Sequence, residues 1–207
     1  MNYDEPFQTL AGLGESELVV ERSRFFGQAL PVASLEEALE YVEAVRSEHY
    51  DARHVCFGLR IGRGAQGIDR SNDDGEPSRT GGFPLWQILD GEEVTDALIV
   101  VVRYYGGVKL GTGGLARAYR GAGRAAFDAA GISTVYPSVR VPVTVPYDQV
   151  GRLEHLLKDF EGVTVSDKQY AADVTFHLDV WRIRLNALQQ ALGALLQRDP
   201  ATFEPTD

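Results

Sequence analysis

The chain has 207 residues, 44% of them apolar and 24% charged, with a formal net charge of -10. Such a composition buries a core without staples and excludes a disordered or fibrous chain. The acidity argues against a general nucleic-acid binder, and the one cysteine, Cys56, rules out an intramolecular disulfide or a cysteine-rich metal site. The longest apolar run, Ala97 to Val102, is too short to span a bilayer, and MNYDEPFQTL lacks the pattern of a signal peptide. A cytoplasmic protein with no membrane segment is therefore expected.

Residues 17–32 mix short apolar runs with polar residues and read as one or two strands. Ser34 and Glu37 then form a capping box ahead of Leu35, Ala38, Leu39, Val42 and Val45, which predicts a helix over 35–48. In the next segment Val55, Phe57, Leu59 and Ile61 alternate with His54, Cys56, Gly58 and Arg60. That is a half-buried strand whose second face is polar. Residues 62–84 have turn-forming composition and no period, so a long loop is expected, followed by a short helix at 84–89. The segment ALIVVVRYY, at 97–105, is continuously apolar before Arg103 and predicts a central strand covered on both faces.

From Gly113 a helix is expected, with Leu115, Ala118, Tyr119, Ala122, Ala126 and Ala129 inside and Arg117, Arg120 and Arg124 outside. Gly121 and Gly123 each cost that helix about 1 kcal/mol against alanine, which implies close packing or close approach of a ligand. After Pro137 the pattern restarts as strand, helix, two strands and helix, with ATFEP at 201–205 as a final strand. The expected division is 1–137 and 138–207, the second part being a ferredoxin-like βαββαβ domain in an α+β protein. Its outward strand residues, Thr175, His177 and Asp179, are not the stacking aromatics of an RNA-recognition motif.

Between Asp96 and Asp128 stand five cations, Arg103, Lys109, Arg117, Arg120 and Arg124, and no acid. Gly106, Gly107, Gly111, Gly113 and Gly114 lead into the helix start, whose free N–H groups and dipole favour an anion. The segment is not a Walker A loop, because Thr112 stands where lysine is required, and no acid lies about twenty residues on to hold a ribose. An anion-binding surface is expected from these residues with Tyr104 and Tyr105 at the strand end. If all five cations met single-stranded RNA, log K would fall with log salt at a slope of at most about -3.5. Asp73, Asp74 and Glu76, with His54, make a second candidate site. Asp-Gly and Glu-Pro are turn-forming pairs, so a capping or pairing role is favoured over a Mg²⁺ site. His54 and Cys56 lack the third group a metal site or catalytic nucleophile needs, and no catalytic triad or other catalytic motif is present.

The stretches "SRFF" (23–26), "ARHVCF" (52–57), "DDGEPSRTGG" (73–82) and "VVRYYGGVKLGTGGLARAY" (101–119) resemble the YigZ/IMPACT family, in its bacterial YigZ branch. The resemblance implies an N-terminal domain like the second domain of a small-subunit ribosomal protein. It also implies a ferredoxin-like C-terminal domain similar to the last domain of a translocation elongation factor. Eukaryotic relatives are implied to regulate translation initiation during amino-acid starvation, and bacterial ones to bind nucleic acid. The resemblance supplies no catalytic residues and no cofactor. This chain departs from the bacterial pattern at Arg79, where glycine is usual, and at Asn72, where serine is common. The expected function is a non-catalytic, translation-associated protein that binds RNA, the ribosome or a ribosome-associated protein. The alternative is a protein or enzyme that holds a nucleotide or sugar phosphate on the glycine-rich loop.

Overall fold

In a computed structural model, residues 4–206 are described, and they divide into two compact units. The first, Phe7–Val135, is built on a five-stranded sheet. Its strands are β2 (Gly14–Val20), β3 (Ser23–Pro31), β4 (His54–Ile61), β5 (Ile68–Asn72) and β6 (Ala97–Tyr104), in the order β2-β3-β6-β4-β5 with every neighbour antiparallel. A separate pair, β1 (Phe7–Leu10) with β7 (Ile132–Val135), joins the two ends of the unit. The hairpin between β2 and β3 turns on Glu21 and Arg22, both with positive φ, the pattern of a type I′ turn.

Strand β6 is central because both its faces are buried. Helix α1 (Leu35–Glu48) covers one face of the sheet and helices α2 (Gly82–Gly91) and α3 (Gly111–Ala130) cover the other. Ala97, Ile99 and Val101 pack towards α2 and α3; Leu98, Val100 and Val102 pack towards α1. Each of the larger side chains contributes about 1.5–3 kcal/mol by leaving water. This layering corrects the expectation of a polar second face on β4. Cys56 is fully buried in the core beneath α2 and α3, since a strand between two helical layers needs no wet face.

The capping box at the start of α1 forms: the Glu37 N–H donates to Ser34 Oγ (3.1 Å), while Glu37 Oε2 accepts from the Ala33 N–H. Two expectations fail for identifiable reasons. Residues 62–84 are not one long loop, because β5 forms at the sheet edge; all five of its residues are exposed, so no apolar alternation marks it. In α3, Ala129 is exposed, and Phe127 and Ala130 complete the buried face. Gly123 serves packing, since a Cβ there would come 2.5 Å from Leu85 Cδ2, whereas one on the exposed Gly121 would meet only the end of Leu18, at 3.2 Å.

The second unit comprises Tyr136 onward together with residues 4–6. Its strands β8 (Ser138–Val145), β9 (Val163–Tyr170) and β10 (Val174–Trp181) form a sheet in the order β8-β10-β9. Helices α4 (Val150–Lys158) and α5 (Leu185–Leu196) close its core around Val141, Val143, Phe176 and Leu178. The fourth strand of the ferredoxin-like pattern shrinks to one antiparallel bridge, Arg140 with Thr206, beside β8. Pro200 sits in a single 3₁₀ turn, Pro200–Thr202, which takes up the chain expected to extend. The fold is α+β with two domains, and no helix among the described residues is long and apolar enough to cross a membrane.

Candidate functional site: a cationic cleft at the start of α3

Alternation along β6 sends Tyr104 and Arg103 to opposite sides of the sheet. Tyr104 goes towards α1, where its hydroxyl meets His49 Nδ1 (2.9 Å) and Asp51 Oδ1 (3.1 Å) and its ring meets Phe26 edge-on. It is a packing residue that is not shared with the cleft. Arg103 goes towards α2 and α3, opposite His54 in the β4 register. Only 5% of Arg103 is exposed, and its guanidinium is held by Glu76 Oε1 (2.5 Å). Tyr119, fully buried in α3, donates its hydroxyl to the same Glu76 oxygen (2.9 Å), and His54 Nε2 lies 3.8 Å away.

The two segments the sequence presented as separate candidates thus meet at one point. Glu76 comes from the acidic turn, Arg103 and Tyr105 from the end of β6, and the start of α3 lies across from them. Between them opens a cleft of about 410 Å³, lined by Arg53, His54, Glu76, Arg103, Tyr105 and Lys109, with Gly111 and Thr112 at its edge. Helix α3 begins with no side-chain cap and no acid in its first turn, so its first N–H groups are unclaimed by side chains. Gly107 and Gly111 have positive φ, which the sharp descent from β6 into α3 requires. Gly106 passes so close to Arg22 that a Cβ would lie 2.0 Å from its carbonyl carbon, and its N–H donates to Ser23 Oγ (3.1 Å).

The other acids of the turn have structural partners. Asp73 accepts from the N–H groups of Gly81 and Gly82 (both 2.9 Å) and Arg79 (2.7 Å), and so caps α2, not the cationic helix. Asp74 takes a bidentate pair from Arg46 (both 3.0 Å) and the N–H of Val55 (2.7 Å). Burial pushes the Asp74 carboxyl up, but Arg46 and the Val55 N–H outweigh it and hold it below the usual carboxylate range. The Asp74 carbonyl accepts from His54 Nδ1 at 2.7 Å, which places the Nδ1 proton there and leaves Nε2 facing the cleft. Asn72 Oδ1 accepts from the Asp74 N–H (2.7 Å), a role a serine hydroxyl can also fill. Arg79 sits at φ +64°, the left-handed region where glycine is at ease, and its guanidinium lies over the Phe83 ring.

Cys56 is a buried free thiol, and no group of metal-ligating side chains surrounds it among the described residues. Its Sγ donates to the Asp73 carbonyl (3.1 Å), and burial pushes the thiol well above its ordinary pKa, so the reactive thiolate is suppressed. Burial raises the Tyr119 hydroxyl likewise.

The basic stripe divides into two classes. Arg103 is buried against Glu76, and Arg124 is held by Glu92 and by Asp128 (2.8 Å). Its cationic form is reinforced first by the Glu92 hydrogen bond. The stretch is free of acids in sequence but not in space, because Glu76 and Glu92 arrive from other elements. Lys109, Arg117 and Arg120 stay exposed, with no ion pair among the described residues. Lys109 and Arg117 line a second groove with Gly114, Leu18 and Glu21, so Lys109 borders both concavities. Gly113 lies beside the Arg117 guanidinium. The sequence reading passed over Arg53, at the mouth of the cleft, and Tyr119, whose apolar ring hides a polar tip. A lone arginine before a strand and a tyrosine on a helix's inner face carry no separate signal.

Residues 21–127 match the Impact N-terminal domain, and residues 143–197 match a domain of unknown function, DUF1949. This chain belongs to the IMPACT family. The family member YvyE of Bacillus subtilis (strain 168) is 32% identical over 187 residues, 90% of this chain and 85% of that one. The family member YigZ of Escherichia coli (strain K12) is 36% identical over 154 residues, 73% and 75% of the two chains. A crystal structure of a hypothetical protein, 29% identical, covers 93% of this chain and 94% of its own with a TM-score of 0.65. The Impact N-terminal match contains the cleft and both grooves' cationic residues.

Proposed function

We propose that this member of the IMPACT family is a non-catalytic cytoplasmic protein that acts in translation by binding RNA. Lys109, Arg117 and Arg120 are the cations that meet its phosphates. The observation that carries this reading is the exposure of those three side chains without an acidic partner, in a chain of net charge -10 where Arg103 and Arg124 are both neutralised. At physiological salt, screening over about 8 Å lets such a local patch act despite distant carboxylates. The sequence resemblance to translation regulators directs the reading to RNA of the translation apparatus. Three available cations reduce the expected salt slope for single-stranded RNA from about -3.5 to about -2.

The test is ribosome co-sedimentation, with RNA binding measured across salt, for the wild type and for Arg117→Glu combined with Arg120→Glu. The wild type is expected to be retained at low salt, and the double variant to lose retention and most of the salt dependence. Retention unchanged in the double variant would reject the reading.

A further inference from the structure

We propose that the cleft between Glu76, Arg103 and the start of α3 is a specific site for a phosphomonoester, such as the 5′-phosphate of a nucleotide. The site shares only Lys109 with the RNA-binding surface and stands or falls separately.

Three cations, Arg53, Arg103 and Lys109, line this cleft against a single carboxylate, Glu76. Among these four side chains, two positive charges remain in excess. Asp73 and Asp74 do not line the cleft: Asp74 is paired with Arg46, and Asp73 points at the α2 amides. The uncapped start of α3 at Gly111 and Thr112 adds the positive end of a 20-residue helix dipole to the same space. Arg103 is the decisive residue. It is buried to 5% exposure, it lines the cleft, and its Nε has no hydrogen-bond partner. A buried, partly unsatisfied guanidinium costs stability unless something else meets it. Its other nitrogens are engaged, Nη1 by Glu76 and Nη2 towards Ser23 Oγ (3.5 Å), which leaves Nε as the unpaired donor.

The charge excess selects the ligand. A phosphomonoester carries a charge of about -1.5 to -2 near neutral pH and three acceptor oxygens, whereas a phosphodiester within an RNA chain carries one charge. The dianion balances the cleft; the diester leaves a cation over. Tyr105 is 41% exposed at the rim, with the guanidinium carbons of Arg53 and Arg103 5.9 and 5.4 Å from its ring centre. It offers a flat face to the base or other planar part of the molecule. The volume of about 410 Å³ lies within the range of small-ligand sites. A free nucleotide and a phosphorylated RNA 5′ end share this chemistry.

The experiment is isothermal titration calorimetry of the full chain with AMP, inorganic phosphate and adenosine, and with one octaribonucleotide carrying either a 5′-phosphate or a 5′-hydroxyl. AMP is expected to bind saturably and adenosine not to bind. Arg53→Ala with Lys109→Ala, both exposed sites, is expected to weaken AMP at least about tenfold. Arg103→Lys, which keeps the charge but not the planar fork, should weaken it while circular dichroism stays unchanged. In the Arg117→Glu/Arg120→Glu background, which disables the RNA surface, a 5′-phosphorylated oligonucleotide that binds as tightly as AMP, while its 5′-hydroxyl twin does not, assigns the site to an RNA end. Binding of AMP alone assigns it to a free metabolite. Adenosine binding as well as AMP, no AMP binding at millimolar concentration, or AMP binding unchanged in the Arg53/Lys109 double variant would each overturn the proposal. The Arg117/Arg120 variant should keep its AMP affinity, which separates failure here from failure of the RNA reading.

Discussion

Arg103 Nη1 lies 2.5 Å from Glu76 Oε1, with only 6% and 4% of the two side chains exposed, so the acidic turn is fastened to the central strand by a buried ion pair. Tyr119 adds a second bond to the same oxygen and ties in α3. Such a pair contributes little net stability over an apolar substitute, but breaking it strands a charge. Glu76→Ala is therefore expected to lower unfolding stability by about 3–5 kcal/mol. Replacing both partners, Glu76→Leu with Arg103→Met, should cost clearly less than the summed costs of Glu76→Leu alone and Arg103→Met alone. Urea unfolding of the four proteins in this double-mutant cycle checks it, and additive costs would show that the pair is not coupled.

Asp73 decides whether α2 starts where it does. One carboxylate satisfies three backbone N–H groups, at Arg79, Gly81 and Gly82, at a helix entry that has no other side-chain cap. Asp73→Ala is expected to cost about 2 kcal/mol, the upper range for losing an N-cap. Asp73→Asn should cost less, because one oxygen can still accept from two of the three. The order wild type, Asn, Ala in thermal midpoint is the check.

Asp74 gives the protein an acid-sensitive brace between the turn, α1 and β4. Its carboxyl pKa is depressed in the folded state, so its stabilisation is fully present above the unfolded carboxylate value near about 3.9 and is lost as pH falls through the lower folded value. Arg46 is 40% exposed in its side chain, so solvent screening limits the pair to about 1 kcal/mol. The stability difference between wild type and Arg46→Met should hold steady from about pH 7 to 5 and shrink below about pH 4. A difference that grows on acidification would contradict the assignment.

Elements with a strong period were legible from residues alone. The capping box placed α1, the unbroken apolar run placed β6 at the sheet's centre, and alternation at Val174–Val180 placed β10. What escaped lacked a local signal. Strand β5 is exposed throughout and exists through pairing with β4; the pair β1 and β7 joins segments more than a hundred residues apart. The candidate site was half legible. Charge and glycine spacing marked the start of α3, but the count of available cations depended on Glu76 and Glu92, which only the fold brings near. Pairing in space, not order in sequence, decides which charges are free.

Two glycines should respond oppositely to the same change. Gly58 in β4 lies against the backbone of α2: a Cβ there would come 2.2 Å from the Trp86 nitrogen and 2.7 Å from its Cα, and backbone cannot swing aside. Gly58→Ala must push α2 off the sheet, at an expected cost of about 3 kcal/mol or more. Because Asp73 holds the start of α2, that shift also pulls on the turn carrying Glu76, so the variant should lose order at the cleft as well as stability. Gly121 in α3 is exposed, and its added Cβ meets only the end of Leu18, which can give by a few tenths of an ångström. Gly121→Ala gains helix propensity of up to about 1 kcal/mol and should raise the thermal midpoint. Thermal unfolding of the two variants beside the wild type checks both signs. A stable Gly58→Ala protein would mean that α2 does not pack so tightly on β4.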